Sequence, residues 1–218
     1  MQKKRVYNFI GEMTMEYVSK KEVKPWRAMF HKWMKNIRPK VKEKGITFTY
    51  RLVGSAKRNL VIRHHNKGFD CDYQIFIQRN NNSLSPKEIK ILFKSVIDEV
   101  CVADGFEPCE NSTSSLTIKM VDKSQSKVRV GYDVVILQET DEGLKILRCQ
   151  NKGTMKESFV LELLPDMTNM SAKLAKIKGK NQWNKLRELY YNKKINYNGE
   201  KKSFQLLNEA INEVLQLK

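Results

Sequence analysis

The chain has 218 residues, 40% of them hydrophobic, with 41 Lys/Arg against 24 Asp/Glu and a formal net charge of +17. That length suits one large domain or a compact two-lobed unit with a real core. No run approaches the roughly 18 apolar residues of a membrane span, and no apolar stretch follows the basic residues 1–5, so neither a span nor a signal peptide is expected.

The charge is unevenly placed. Residues 1–68 hold 18 Lys/Arg against 4 Asp/Glu, whereas residues 69–218 hold 23 against 20. A basic N-terminal region attracts polyphosphates, RNA or DNA; an ordinary solubilising lysine-rich surface is the alternative. Cys71, Cys101, Cys109 and Cys149 form no CxxC pair and no cluster with His, which reads as reduced thiols of a cytoplasmic protein.

In chain order, Val6, Ile10, Met13 and Tyr17 recur at helical spacing and predict an amphipathic helix over 3–19. Pro25 reads as the first residue of a second helix, whose stripe is Trp26, Phe30, Trp33, Met34, Ile37 and Val41. Pro39 should kink or end it. Arg27, His31, Lys32, Lys35 and Arg38 fall mostly off that stripe. With Lys20 and Lys24 they offer a basic face, which reads either as a nucleic-acid spine or as a solvated surface.

Ile46, Phe48, Tyr50 and Leu52 alternate and predict a strand leading into Gly54-Ser55. Strands are expected at 59–63 and 70–78, then a polar loop over 80–85. Ser85-Pro86-Lys87-Glu88 is a capping box opening a helix that carries Ile89, Phe93, Val96, Ile97 and Val100. A strand pair follows at 115–120 and 127–137, with further strands at 144–149 and 158–164. Beyond Pro165 the pattern turns helical, with Trp183, Leu186 and Tyr190 on one stripe and Ser203 placed to cap a last helix. The expected layout is an α/β (α+β) lobe over 1–164 and a helical lobe over 165–218.

The chemistry concentrates on three carboxylates. Strand alternation puts Asp70 and Asp72 on one face of their strand. A third, Asp133, shares a face with Arg129, Gly131 and Val135 on a later strand. Carboxylates interrupting apolar strands are costly unless a positive partner lies between them, and a pair of divalent ions is the usual partner. His64-His65 reads as an exposed loop pair rather than a metal site, and no P-loop, nucleophile elbow or HExxH occurs.

Gly54-Ser55, then Asp70-x-Asp72, then Asp133 resembles the nucleotidyltransferase superfamily of the DNA polymerase beta type. The likeness covers roughly residues 46–137. The segment from Gly54 to Asn59, the basic helix before it and the stretch Trp183-x-x-Leu186-Arg187-x-Leu189-Tyr190 look most like the branch of oligoadenylate synthetases, cyclic GMP–AMP synthase and their bacterial relatives. The resemblance implies a nucleotidyltransferase-like mixed sheet with flanking helices and a small C-terminal helical lobe. It implies Mg²⁺, two ions or Mn²⁺ in their place, held by Asp70, Asp72 and Asp133, with Gly54 and Ser55 at the phosphates of an NTP. Lys185 and Ser203 would contact the triphosphate from the helical lobe. In that branch position 59 is often small or hydroxylated, whereas here it is Asn, and the span from Ser55 to Asp70 is longer than in compact members. The implied activity is transfer of a nucleoside monophosphate to a hydroxyl acceptor. A binding module without catalysis, or an enzyme that marks a partner protein, are the other readings of the same scaffold.

Overall fold

The computed structural model describes residues 15–64, 67–164, 168–196, 199, 201 and 203–217. Its elements are β1 (Met15–Tyr17), α1 (Lys20–Glu43), β2 (Ile46–Leu52), α2 (Gly54–Arg58), β3 (Ile62–His64), β4 (Asp70–Asn80) and α3 (Pro86–Ala103). There follow β5 (Glu110–Asn111), β6 (Leu116–Asp122), β7 (Lys127–Thr140), β8 (Gly143–Gln150) and β9 (Ser158–Leu163), then α4 (Thr168–Gly179), α5 (Trp183–Ile195) and α6 (Ser203–Gln216). The chain divides into two compact units, 1–162 and 163–218.

The first unit is built on a mixed sheet in the order β2-β4-β7-β6-β5. Strands β4 and β7 are its parallel pair; the others are antiparallel. β7 is long enough to pair with β6 along its first part and with β8 along its last. Residues of β4 alternate: Cys71, Tyr73, Ile75 and Ile77 are buried, while Asp70, Asp72, Gln74 and Phe76 point the other way.

Helices α1 and α3 contribute to the core through Phe30, Trp33, Met34, Ile37, Phe93 and Ile97. Phe30 stacks on Tyr73 with ring centroids 3.7 Å apart, and Trp33 meets Phe106 edge-on at 4.8 Å. Such aromatic pairs contribute about 0.5–1.5 kcal/mol each beyond the area they bury. The Tyr132 hydroxyl donates to the Trp26 carbonyl at 2.9 Å, so this large buried ring keeps its polar end satisfied. The helical pair therefore covers the face of β4 and β7 opposite the carboxylates.

Two expectations about α1 are corrected. It starts at Lys20, not Pro25, because Ser19 and Glu22 form a capping box. It also runs past Pro39 to Glu43. Both prolines are exposed, so the carbonyls they leave without a helical donor lie on the solvent side. Val41, a turn beyond Ile37, is fully buried, and this packing carries the helix through. The helix expected over 3–19 ends differently as well: 15–17 form β1, paired antiparallel with β3, and its earlier residues lie outside the described ones. The predicted strand at 59–63 is shifted to 62–64, since Asn59 adopts a left-handed conformation at the end of α2.

The strand at 46–52, the Ser85 capping box, the pairing of 116–122 with 127–134 and the strands near 144–149 and 158–164 are present. Among the described residues the second unit holds three helices, packed through Leu174, Ile177, Leu186, Tyr190, Leu206, Ala210, Ile211 and Val214. Lys193 bridges to Glu213 at 2.5 Å within it. Among the described residues no helix is long and apolar enough to cross a membrane.

Candidate active site

The parallel register of β4 with β7 sets Asp72 directly beside Asp133 and Asp70 beside Gly131. Equivalent positions of paired strands face the same way, so the three carboxylates share one side of the sheet. Asp70 is exposed, and Asp72 and Asp133 are half-buried. Burial, then the charges of Asp133 and Asp70, push the Asp72 carboxyl up to about 6; the Ser55 amide and Arg58 act against that rise. Burial together with neighbouring like charges disfavours the ionised form of a carboxyl in this way, and such shifts gather at functional sites.

The Gly54-Ser55 turn docks against this group. Val53 N–H donates to the Asp72 carbonyl at 2.8 Å, and the Ser55 amide donates to the Asp72 carboxylate. Gly54 sits at φ +62°, and a Cβ there would fall 1.8 Å from Asp72 Oδ2. Glycine is thus required twice, by backbone conformation and by the carboxylate that occupies its missing side chain's place. Arg58 Nη1 closes the turn by donating to the Gly54 carbonyl at 2.8 Å. The left-handed Asn59 gives a reason for the residue there: Asn adopts that conformation more readily than most side chains do.

Several contributors escape a reading of the sequence alone. Gly131 makes room for Asp70: a Cβ there would lie 2.2 Å from Asp70 Oδ1. Thr117, in register with Asp133 on β6, donates its hydroxyl to Asp133 Oδ1 at 2.5 Å, with Ser115 Oγ 3.5 Å from the same oxygen. The only sequence signal for these is the alternation that puts Gly131 and Asp133 on one face. The pairing that supplies Thr117 is not local.

Among the described residues no three His, Cys, Asp or Glu side chains converge into a preformed metal cage. The carboxylates line a face rather than close a ring. That donor set suits Mg²⁺, which binds through one or two carboxylates and takes its remaining ligands from water and substrate phosphates.

In the second unit, Lys185 is exposed on α5. Ser203 is the first residue of α6, and its hydroxyl accepts from Lys194 Nζ at 2.7 Å. Tyr190 is core, and Lys178 lies over the Trp183 ring at 5.0 Å. On α1, Lys20, Lys24, Arg27, Lys32, Lys35 and Arg38 are all exposed. Lys32 pairs with Asp104 at 3.2 Å, and the Arg38 guanidinium lies 5.6 Å from the Tyr50 ring centre. All four cysteines are buried thiols. Of the histidine pair, His64 ends β3 and His65 lies outside the described residues.

No protein-family model and no curated protein matches the sequence. Solved structures do match in fold. DncV of Vibrio cholerae with 3′-deoxy ATP bound superposes with a TM-score of 0.63 at 11% identity, over 91% of this chain and 67% of that one. The same protein, described as a cyclic AMP–GMP synthase, in complex with nonhydrolyzable GTP gives 0.62 at 12%, with the same coverage. Escherichia coli DncV with 3′-deoxy GTP gives 0.59 at 12%, over 91% of this chain and 68% of that one. The mixed sheet with flanking helices and a C-terminal helical region is therefore a nucleotidyltransferase-like fold, as the resemblance implied.

Proposed function

We propose that the protein is a Mg²⁺-dependent nucleotidyltransferase that moves a nucleoside monophosphate from an NTP to the hydroxyl of a second nucleotide, giving a linear or cyclic oligonucleotide. The observation that carries this reading is the set of three carboxylates on one sheet face, two of them side by side, with the Gly54-Ser55 turn bonded to the middle one. The fold shared with nucleotide-bound DncV supports the substrate class.

Asp70 and Asp72 would hold the ion that carries the triphosphate, and Asp72 with Asp133 the ion at the acceptor. When bound, Mg²⁺ supplies charge neutralisation for the attacking oxygen and the departing pyrophosphate. The chain's own work is positioning. Ser55 fixes Asp72 through its amide and has its hydroxyl to offer a phosphate oxygen. Asp133 orients the acceptor hydroxyl and draws on its proton as oxygen attacks the α-phosphorus and the bond to pyrophosphate breaks. Asp72, whose affinity for protons is raised by burial and then by its carboxylate neighbours, gains from a cation. Lys185 and Ser203 are proposed triphosphate contacts, and the cations of α1 a contact for RNA or DNA.

The test is incubation of the purified protein with labelled NTPs and Mg²⁺ or Mn²⁺, with and without RNA, DNA or a co-purifying protein. Products are separated by chromatography and identified by mass, beside Asp70→Ala/Asp72→Ala. A new oligonucleotide absent from the variant is expected. A label on a protein would move the acceptor to a partner. No product in any condition, with no Mg²⁺·ATP binding by calorimetry, would reduce the protein to a binding module on this scaffold.

A further inference from the structure

Lys90 is the one charged side chain among the described residues that is fully withdrawn from water, at 2% exposure. Burying an ammonium is costly unless its protons find acceptors. The acceptors here are two consecutive carbonyls, Ser112 at 2.8 Å and Thr113 at 3.4 Å. Both belong to the turn that joins β5 to β6.

That turn is tied from other sides too. The Cys149 N–H of β8 donates to the Thr113 carbonyl at 2.7 Å, and Arg148 Nη1 donates to Ser114 Oγ at 2.9 Å. Ser112 N–H donates to the Ser115 carbonyl at 2.9 Å, and the two hydroxyls meet at 2.8 Å. The strand leaving the turn delivers Ser115 and Thr117 to a single oxygen, Asp133 Oδ1.

We propose that Lys90 is a positioning residue for Asp133: its ammonium pins the turn at 112–115, and the pinned turn holds Thr117 where its hydroxyl fixes the plane of the Asp133 carboxylate beside Asp72. The proposal rests on the nucleotidyl-transfer reading for its purpose, although its geometry stands apart from it. Asp133 has a like charge next to it in the sheet. A donor on one oxygen stops the carboxylate from rotating away from that neighbour and leaves the second oxygen for a cation or the acceptor hydroxyl. Such supporting contacts commonly change metal affinity about 10–100-fold when removed.

Lys90→Met keeps the aliphatic stem and removes only the ammonium. Thr117→Val removes the hydroxyl, and Thr117→Ser restores it. Mn²⁺ binding to each full-length protein is read by electron paramagnetic resonance, thermal stability is measured in parallel, and Lys90→Met is crystallised. Mn²⁺ affinity should fall about 10-fold or more in Lys90→Met and Thr117→Val and stay near wild type in Thr117→Ser. The double variant Lys90→Met/Thr117→Val should bind no more weakly than the weaker single variant, because both act through one oxygen. In the Lys90→Met crystal the bond from Thr117 to Asp133 should be lost or lengthened. Wild-type Mn²⁺ affinity in Lys90→Met, or an intact Thr117–Asp133 bond in its crystal, would overturn the proposal and leave Lys90 a purely structural residue. If Lys90→Met does not fold, Lys90→Gln takes its place in both measurements. A wild-type protein that binds no Mn²⁺, either alone or with a nonhydrolysable NTP present, would sink the nucleotidyl-transfer reading instead, and the Thr117–Asp133 distance would then decide this proposal alone.

Discussion

Replacing Asp72 by asparagine is expected to stabilise the folded protein at neutral pH while abolishing product formation. Loss of solvent and two neighbouring carboxylates raise the Asp72 pKa from an ordinary 3.8 to about 6. The folded-state value therefore lies above the unfolded one. Below pH 3.8 both states hold the proton and nothing is lost. Between 3.8 and about 6 the unfolded chain releases it while the folded one keeps it, so stability falls as pH rises through that window. Above it the cost is complete. The whole shift would correspond to about 3 kcal/mol, and about 2 kcal/mol is expected for a side chain that still touches solvent. Asparagine carries no charge, and its Oδ1 can still accept from the Ser55 amide. At about pH 8 the variant should exceed wild type by about 2 kcal/mol, or roughly 4–8 °C in Tm, and at about pH 4 the gap should close. Urea denaturation followed by tryptophan fluorescence at the two pH values measures it. A variant less stable than wild type at the higher pH, or a gap that ignores pH, would refute the electrostatic account of the site.

Gly54→Ala should cost about 1–3 kcal/mol, from the left-handed backbone and the clash with Asp72 Oδ2, and should remove activity; a wild-type denaturation midpoint would show that the turn relaxes freely. Phe30→Ala, at a fully buried ring stacked on Tyr73, should cost about 3–5 kcal/mol by the same denaturation assay. If α1 binds duplex nucleic acid, replacing Lys20, Lys24 and Lys35 by Ala should reduce the slope of log affinity against log salt by up to about 3, since each phosphate contact contributes about 0.9. An unchanged slope in a filter-binding titration would make that face an ordinary solvated one.

Local pattern made much of this protein legible. Strand alternation placed Asp70 and Asp72 on one face, and the Ser85 capping box marked the start of α3. The same local reasoning misplaced α1. Proline is by local rule a helix boundary, but on the exposed side of a helix it costs less, and the buried stripe from Val23 to Val41 outweighs it. The capping box of Ser19 and Glu22 is itself a local signal, and it sets the start of α1 ahead of Pro25.

What the sequence by itself determined is which residue types face which way along each element, because a period of two or of 3.6 is a property of neighbouring residues. What only the tertiary structure decided is which of those faces meet. The pairing that puts Asp72 beside Asp133 joins residues some sixty positions apart, and the packing choices around it also join residues that are not neighbours in the chain. Gly131 yields its side-chain space to Asp70, Thr117 is delivered to Asp133, and the buried Lys90 holds the turn ahead of Thr117. Register between distant strands is set by burial of the whole sheet face rather than by any local motif, so these partners could not be read before the sheet was assembled.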